Sequence, residues 1–253
     1  MSYSSKEKEL FARTCLLLGT EQMEKISSVR VIIFGIGGVG SWCAESLVRS
    51  GITHLTIVDA DTISSSNVNR QLMTTSLNVG QVKTEVMKAR LLEINPEAEI
   101  TAINGVYTAE TAGEFALDEY DYVLDCIDSL KDKMALILNG TASRAAFYSS
   151  MGSALKVDPT RIRVAEFWKV RGCPLGSMLR KRLRQRGTLP AKEFLCVYDE
   201  EVLPNRGTAP SPEEDPGLFK KAQTNGTLAH ITGIFGLTLA GLVIKDIIEK
   251  YNG

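Results

Sequence analysis

Asp59, Asp61, Asn67, Arg70, Gln71 and Lys83 fall within one short stretch of the chain, and Asp128-Ser129 follows farther on. This mixture of residue types suits nucleotidyl transfer. Arg70 and Lys83 would neutralise triphosphate charge, and Asp128 would hold a magnesium ion that bridges phosphates. Asp59 would accept hydrogen bonds from ribose hydroxyls. Asn67 would supply a neutral donor near the α-phosphate, where an attacking carboxylate arrives. Taken singly, each has a plainer use: Arg70 and Lys83 as solvated surface residues, Asn69 as a turn residue, Asp128-Ser129 as a helix cap. The chemical reading rests on their occurring together, in order, at the ends of strands.

Upstream, Val31-Ile32-Ile33-Phe34-Gly35-Ile36-Gly37-Gly38-Val39-Gly40 runs an apolar strand into a glycine-rich turn ahead of a helix. Such a turn exposes backbone N–H groups at a helix N-terminus, where partial positive charge favours phosphate. Gly35, Gly37 and Gly40 satisfy the G-x-G-x-x-G spacing, with Gly38 beside them. With Asp59 as a ribose acid, the turn alone fits an NAD-type dehydrogenase as well as an ATP enzyme. A dehydrogenase has no need of a lysine, an arginine and a metal-binding aspartate around its pyrophosphate. The full set therefore favours ATP.

Alternating elements must position these groups. Strand-like runs at Val29–Phe34, His54–Asp59, Glu99–Ile103, Tyr122–Cys126 and Phe147–Met151 alternate with helix-like segments near Val39–Ser50, Val79–Ile94, Ala109–Leu117 and Lys131–Ala145. Alternation of this kind implies an α/β, Rossmann-like fold with a mostly parallel sheet flanked by helices. The chemically suggestive residues then lie at or beyond the carboxyl ends of strands, where ligands bind. After Met151 the pattern changes to strands at Arg161–Trp168 and Glu193–Tyr198 around a basic helix, Pro174–Arg186. This is a smaller antiparallel and basic-helix extension in the C-terminal half. We read 1–253 as a single unit: a nucleotide-binding core over 28–152, a substrate-binding extension over 153–225, and a C-terminal packing helix over 226–253. A proline-punctuated mobile loop is expected at about 204–217.

Bulk properties narrow the classes further. The chain has 253 residues, 44% of them hydrophobic, and a net charge of −1. That supports a sizeable core and says nothing of partners. Charge distribution says more: Trp168 to Lys192 contains no acid but eight basic residues, and an acidic run follows. Arg180, Lys181, Arg182, Arg184 and Arg186 spread around the basic helix, either as a phosphate-tracking face or as a solvated one. Trp168 and Tyr198 flank it and would serve core packing or base stacking. Five scattered cysteines without a C-x-x-C pair point to a reducing, cytoplasmic setting. The polar, charged N-terminus is unlike a signal peptide. Gly226–Ile244 is nearly uncharged, but its threonines, histidine and glycines suit a buried or dimer-interface helix better than a membrane span.

These motifs resemble the ThiF/MoeB superfamily, relatives of the ubiquitin-activating enzymes that adenylate a carboxylate with ATP. The matching segments are Gly35–Gly40, Asp59/Asp61, Asn67–Gln71, Gly80–Lys83 and Asp125–Ser129. Within it the chain is most similar to the tRNA threonylcarbamoyladenosine dehydratases. That likeness is carried by Ser149–Gly152, Asp158–Ile162, Pro174-Leu175 and Leu179–Leu183, and it covers roughly Phe11 to Ile248. The resemblance implies a ligase-type, adenylate-forming enzyme that uses ATP and Mg2+ to dehydrate, and so cyclise, threonylcarbamoyladenosine beside the anticodon of tRNA. It implies catalytic roles for Arg13, Asn67, Arg70, Lys83 and Asp128, with ATP contacts extending to Asp59, Asp61, Gln71 and Ser129. It also implies a homodimer in which Arg13 enters the partner's ATP site, tRNA on the basic helix, and a sulfur-relay protein as a further candidate partner. The runner-up activity is adenylation of the C-terminus of a ubiquitin-like sulfur carrier, and the more distant one is a nucleotide-holding adaptor without turnover. The sulfur-carrier enzymes usually hold zinc on two C-x-x-C pairs; here no such pair exists, so no zinc is expected. Cys196 is read as a small strand hydrophobe rather than a thioester nucleophile.

Overall fold

The computed structural model describes residues 5–208 and 225–251. Five strands alternate with helices: β1 (Arg30–Phe34), β2 (His54–Val58), β3 (Glu99–Ile103), β4 (Tyr122–Asp125) and β5 (Ala146–Ser150). With β6 (Arg163–Glu166) and β7 (Leu195–Tyr198) they form one sheet, ordered β3-β2-β1-β4-β5-β7-β6. All pairings are parallel except β6 on β7. The C-terminal extension thus continues the nucleotide core's own sheet. Strand order reverses between β1 and β4, and in such sheets the crevice beyond that switch point is where ligands bind.

Helices α4 (Gly40–Arg49), α5 (Lys83–Ile94) and α8 (Ala229–Tyr251) cover one face, and α6 (Leu130–Ala142) and α7 (Pro174–Arg186) the other. Alternate residues of β1 feed the two layers. Val31 and Ile33 join Leu47, Leu55, Met87 and Phe235, while Ile32 and Phe34 join Val123, Ile137, Phe167 and Leu183. Such apolar runs are what a strand buried on both faces requires. Along α8, Ile231, Phe235, Leu239, Val243 and Ile247 recur every fourth residue and are fully buried. The helix is long and apolar enough to cross a membrane, but here that stripe is core. At Gly236 a Cβ would lie 2.4 Å from the Val39 carbonyl oxygen, so the missing side chain lets α8 reach the turn that starts α4.

Several elements differ from the expectation. Three N-terminal helices, α1 (Ser5–Leu10), α2 (Ala12–Leu18) and α3 (Thr20–Ser28), precede the sheet, in a stretch where the sequence pattern predicts no element. The α5 helix begins at Lys83 rather than Val79, because Gly80 adopts φ +89° and Thr62 bridges Val82. The helix expected over Ala109–Leu117 is replaced by two short 3-10 turns, Ala112–Phe115 and Leu117–Glu119, broken by Ala116 at φ 41°. The strand expected over Arg161–Trp168 shrinks to Arg163–Glu166, since the Asp158 and Glu166 side chains cap 3-10 turns on either side. Residues 209–217 of the expected mobile loop lie outside the described residues.

Candidate active site

Backbone space defines the glycine turn. Gly35 has φ +89°, and a Cβ there would lie 2.8 Å from the Cys126 carbonyl oxygen. A Cβ on Gly40 would strike the Gly35 carbonyl at 1.9 Å. No side chain fits either place, so β1, the turn and α4 close up against the loop after β4. Gly37 and Gly38 face the crevice's other wall: the nearest groups to their Cβ positions include Gln71 Nε2 at 3.8 Å and Arg70 Cγ at 3.4 Å. Ser41 Oγ donates to the Gly37 carbonyl and accepts from the Leu72 N–H, joining the turn to the Asn67–Gln71 segment.

Asp59 follows β2 and is largely buried. One of its oxygens accepts the Ile36 N–H at 2.7 Å and the other the Asp61 N–H at 2.9 Å. Each oxygen keeps a second lone pair for a ribose hydroxyl. Burial pushes this carboxyl above its usual value, opposed by the Lys83 charge. Lys83 is the first residue of α5 and is buried. Its ammonium donates to Asp61 Oδ2 at 2.8 Å and lies 3.9 Å from Asp59 Oδ1. Asn67 ends a 3-10 turn, where its side-chain carbonyl accepts the Ser64 N–H at 3.1 Å. Its amide end, the donor the chemistry calls for, makes no hydrogen bond among the described residues. Arg70 Nη1 donates to the Ser66 carbonyl and to Asn69 Oδ1, both at 2.8 Å. Burial lowers the pKa of this guanidinium, while the charge of Asp128 raises it, so the loops after β2 and β4 meet electrostatically.

Asp128 is exposed beyond β4, and Ser129 sits at the N-cap of α6 without a side-chain capping bond. The cap reading thus holds for Ser129's position but not for its hydroxyl. The glycine turn, Asp59, Lys83, Arg70 and Asp128 all gather at the β1/β4 switch point. Arg13 does not join them within this chain: it is exposed on α2 and makes no hydrogen bond or ion pair among the described residues.

The arrangement fits a nucleoside triphosphate. Gln71 Oε1 is buried beside the glycine turn with no hydrogen-bond partner among the described residues, an acceptor left over for a ligand. Among the described residues no three His, Cys, Asp or Glu side chains form a metal cage. Magnesium needs none, since it is commonly held by one or two carboxylates together with substrate phosphates.

On the opposite face of the sheet, α7 presents Lys181, Arg182, Arg184 and Arg186 to solvent. Arg180 is half-buried and donates to the Phe167 carbonyl at 3.0 Å. Arg184 lies over the half-buried Trp168 ring, 5.0 Å from its centroid, while Tyr198 is buried. Lys192, from the same basic run, binds the Ser143 and Ala145 carbonyls at the end of α6 and is structural. Cys196 is fully buried and burial pushes its thiol well above the usual value, so it is a core side chain. Lys133 is not singled out by the sequence, and Asp125 and Ser149 appear there only within motif segments. Asp125, Lys133 and Ser149 form a buried polar cluster under the loop that carries Asp128. Its only sequence signal is an aspartate ending an apolar strand with a lysine one turn into the next helix.

Comparison with known proteins places this geometry. The model of the ThiF family matches residues 11–252. The tRNA threonylcarbamoyladenosine dehydratase of Bacillus subtilis is 33% identical over 240 residues, covering 94% of each chain. That of Escherichia coli is 31% identical over 257 residues, covering 96% of this chain and 95% of the other. The crystal structure of the E. coli enzyme in complex with ATP superposes with a TM-score of 0.85 at 30% identity, over 99% of this chain and 98% of that one.

Proposed function

The chain belongs to the ThiF family, and from that premise we propose that it is an ATP-dependent, adenylate-forming tRNA threonylcarbamoyladenosine dehydratase. One observation carries the reading: two cationic side chains, Arg70 and Lys83, and the Asp128 carboxylate converge on the glycine turn at the sheet's switch point. The threonylcarbamoyl carboxylate attacks the α-phosphorus of ATP, and the bond to pyrophosphate breaks. The acyl adenylate is then displaced from within the same modified base, closing a ring and releasing AMP. Atoms balance as the loss of one water, whose oxygen leaves on AMP. No protein nucleophile is needed, because activation and proximity within one substrate supply the driving force.

Each residue has a definite task in this scheme. The N–H groups of the Gly35–Gly40 turn and the α4 N-terminus bind phosphate. Asp59 accepts the ribose hydroxyls. Lys83 and Arg70 offset charge that develops as pyrophosphate leaves, and the Asn67 amide donates near the α-phosphate. Asp128 would hold magnesium, which supplies further charge neutralisation at the phosphates when bound. In this reading the enzyme is a cytoplasmic homodimer. Arg13 crosses to the partner's phosphates, and Lys181, Arg182, Arg184 and Arg186 track the tRNA backbone. A sulfur-relay partner is compatible with the scheme but not required by it.

Mass spectrometry of the modified nucleoside tests the proposal. Protein, ATP, magnesium and tRNA carrying threonylcarbamoyladenosine are incubated and digested under conditions that spare a labile ring. The expected result is loss of one water, dependent on ATP and absent for Asp128→Ala. An unchanged nucleoside with ATP binding intact would redirect the assignment to a carrier-protein adenylator.

A further inference from the structure

Asp125 and Lys133 are both wholly buried, with Lys133 Nζ 2.8 Å from Asp125 Oδ2. Ser149 Oγ, from the neighbouring strand β5, donates to the same oxygen at 2.7 Å. The two side chains also grip one residue of the loop between them. Asp125 Oδ1 accepts the Ile127 N–H at 3.1 Å, and Lys133 Nζ donates to the Ile127 carbonyl at 2.9 Å. Ile127 is therefore fixed at both backbone polar atoms, and its carbonyl belongs to the peptide plane that leads into Asp128. The preceding residue is anchored too, since the Cys126 N–H donates to the Phe34 carbonyl at 2.8 Å and its own carbonyl abuts Gly35.

Burying an ion pair costs desolvation that its mutual attraction barely repays, and apolar replacements are often neutral or stabilising. Stability alone gives little reason for this one. We propose that Lys133 and Asp125 are positioning residues for nucleotidyl transfer, holding the Ile127–Asp128 peptide so that the Asp128 carboxylate meets the phosphates opposite Arg70. This rests on the role given to Asp128 above. Neither buried side chain touches substrate; both act through the loop backbone, and Ser149 orients the carboxylate.

The test uses Lys133→Met combined with Asp125→Asn, which leaves no unpaired buried charge, in the full-length protein. Hydrogen exchange at the Ile127 amide, which Asp125 accepts, reports the clamp directly. Exchange there should rise roughly tenfold or more while β1 amides stay protected, and kcat should fall roughly tenfold or more with KM for tRNA unchanged. The gain in ATP affinity on adding magnesium, read by titration calorimetry, should shrink in parallel. Unchanged loop exchange, or a loosened loop with kcat and magnesium response as in wild type, overturns the proposal. Asp128→Ala run alongside separates the two readings: full turnover by that variant would sink the role of Asp128, whereas the exchange measurement tests the clamp by itself. If the double variant does not fold, the wild-type protein decides. Its Ile127 amide, though outside any strand, should exchange as slowly as those of β4, and exchange at the rate of exposed loops refutes the clamp.

Discussion

At the scale of the residue, Glu45 illustrates how a side chain outside the candidate site braces the helices that frame it. It is buried on α4, where it accepts from Arg49 one turn on and from Arg90 of α5. It thereby ties the helix that starts at the glycine turn to the helix that starts at Lys83. Burial pushes its carboxyl up, but hydrogen bonds and charge from Arg90 and Arg49 outweigh this and hold it below its ordinary value. A depressed folded-state pKa contributes stability that is present above the unfolded value and is lost as pH falls through the folded one. With both arginines partly in solvent, the tie is worth on the order of 1 kcal/mol. Glu45→Gln should then lower Tm at pH 7 by roughly 3 °C, with the gap closing as pH falls through the ordinary carboxylate range and below it. A gap that persisted unchanged in acid would mean that Glu45 acts by packing rather than by charge. Spacing alone could reveal the Glu45–Arg49 pair, four residues apart on one helix, whereas Arg90 becomes its partner only through the packing of α5 on α4.

Among elements, α7 has the boundaries that its sequence dictates. Pro174 sits at its first position, the Cys173 sulfur caps the Gly176 N–H, and Gly187 closes it at φ 65°. Local rules are enough because these signals act through neighbouring backbone. Which of its cations face solvent is a tertiary matter, and Arg180 turns inward to the Phe167 carbonyl. The proposed tRNA face should therefore run through Lys181, Arg182, Arg184 and Arg186. Replacing these four with alanine should weaken tRNA binding and make the slope of log affinity against log salt shallower by roughly 3 units. ATP binding should not change. An unaltered salt slope, measured by filter binding over a salt series, would assign α7 to solvation instead. Other elements were less legible. The 3-10 turns replacing a helix before β4 depend on Ala116 adopting φ 41°, a conformation alanine rarely takes, between the buried Phe115 and Leu117.

For the whole molecule, the site assembled in one chain contains Arg70, Lys83 and Asp128 but not Arg13, which is exposed on α2. The proposed dimer predicts complementation. Arg13→Ala and Asp128→Ala proteins, each inactive, should regain about a quarter of wild-type turnover when dissociated and reassembled together, since half the dimers would carry one intact site. No recovery, with mixed dimers demonstrated, would place Arg13 outside the partner's site. The sequence by itself determined the α/β class and the order of the strands, and it set the candidate phosphate-binding residues at strand ends. Periodicity, glycine turns and charged residues at strand ends are local signals, written in neighbouring positions. It could not determine that β7 lies between β5 and β6, that Asp59 is held by the Ile36 and Asp61 amides, or that Lys133 reaches back to Ile127 beneath Asp128. Those facts depend on which strands pair and on which buried polar groups lack any other partner once water is excluded. Only the folded sheet decides both.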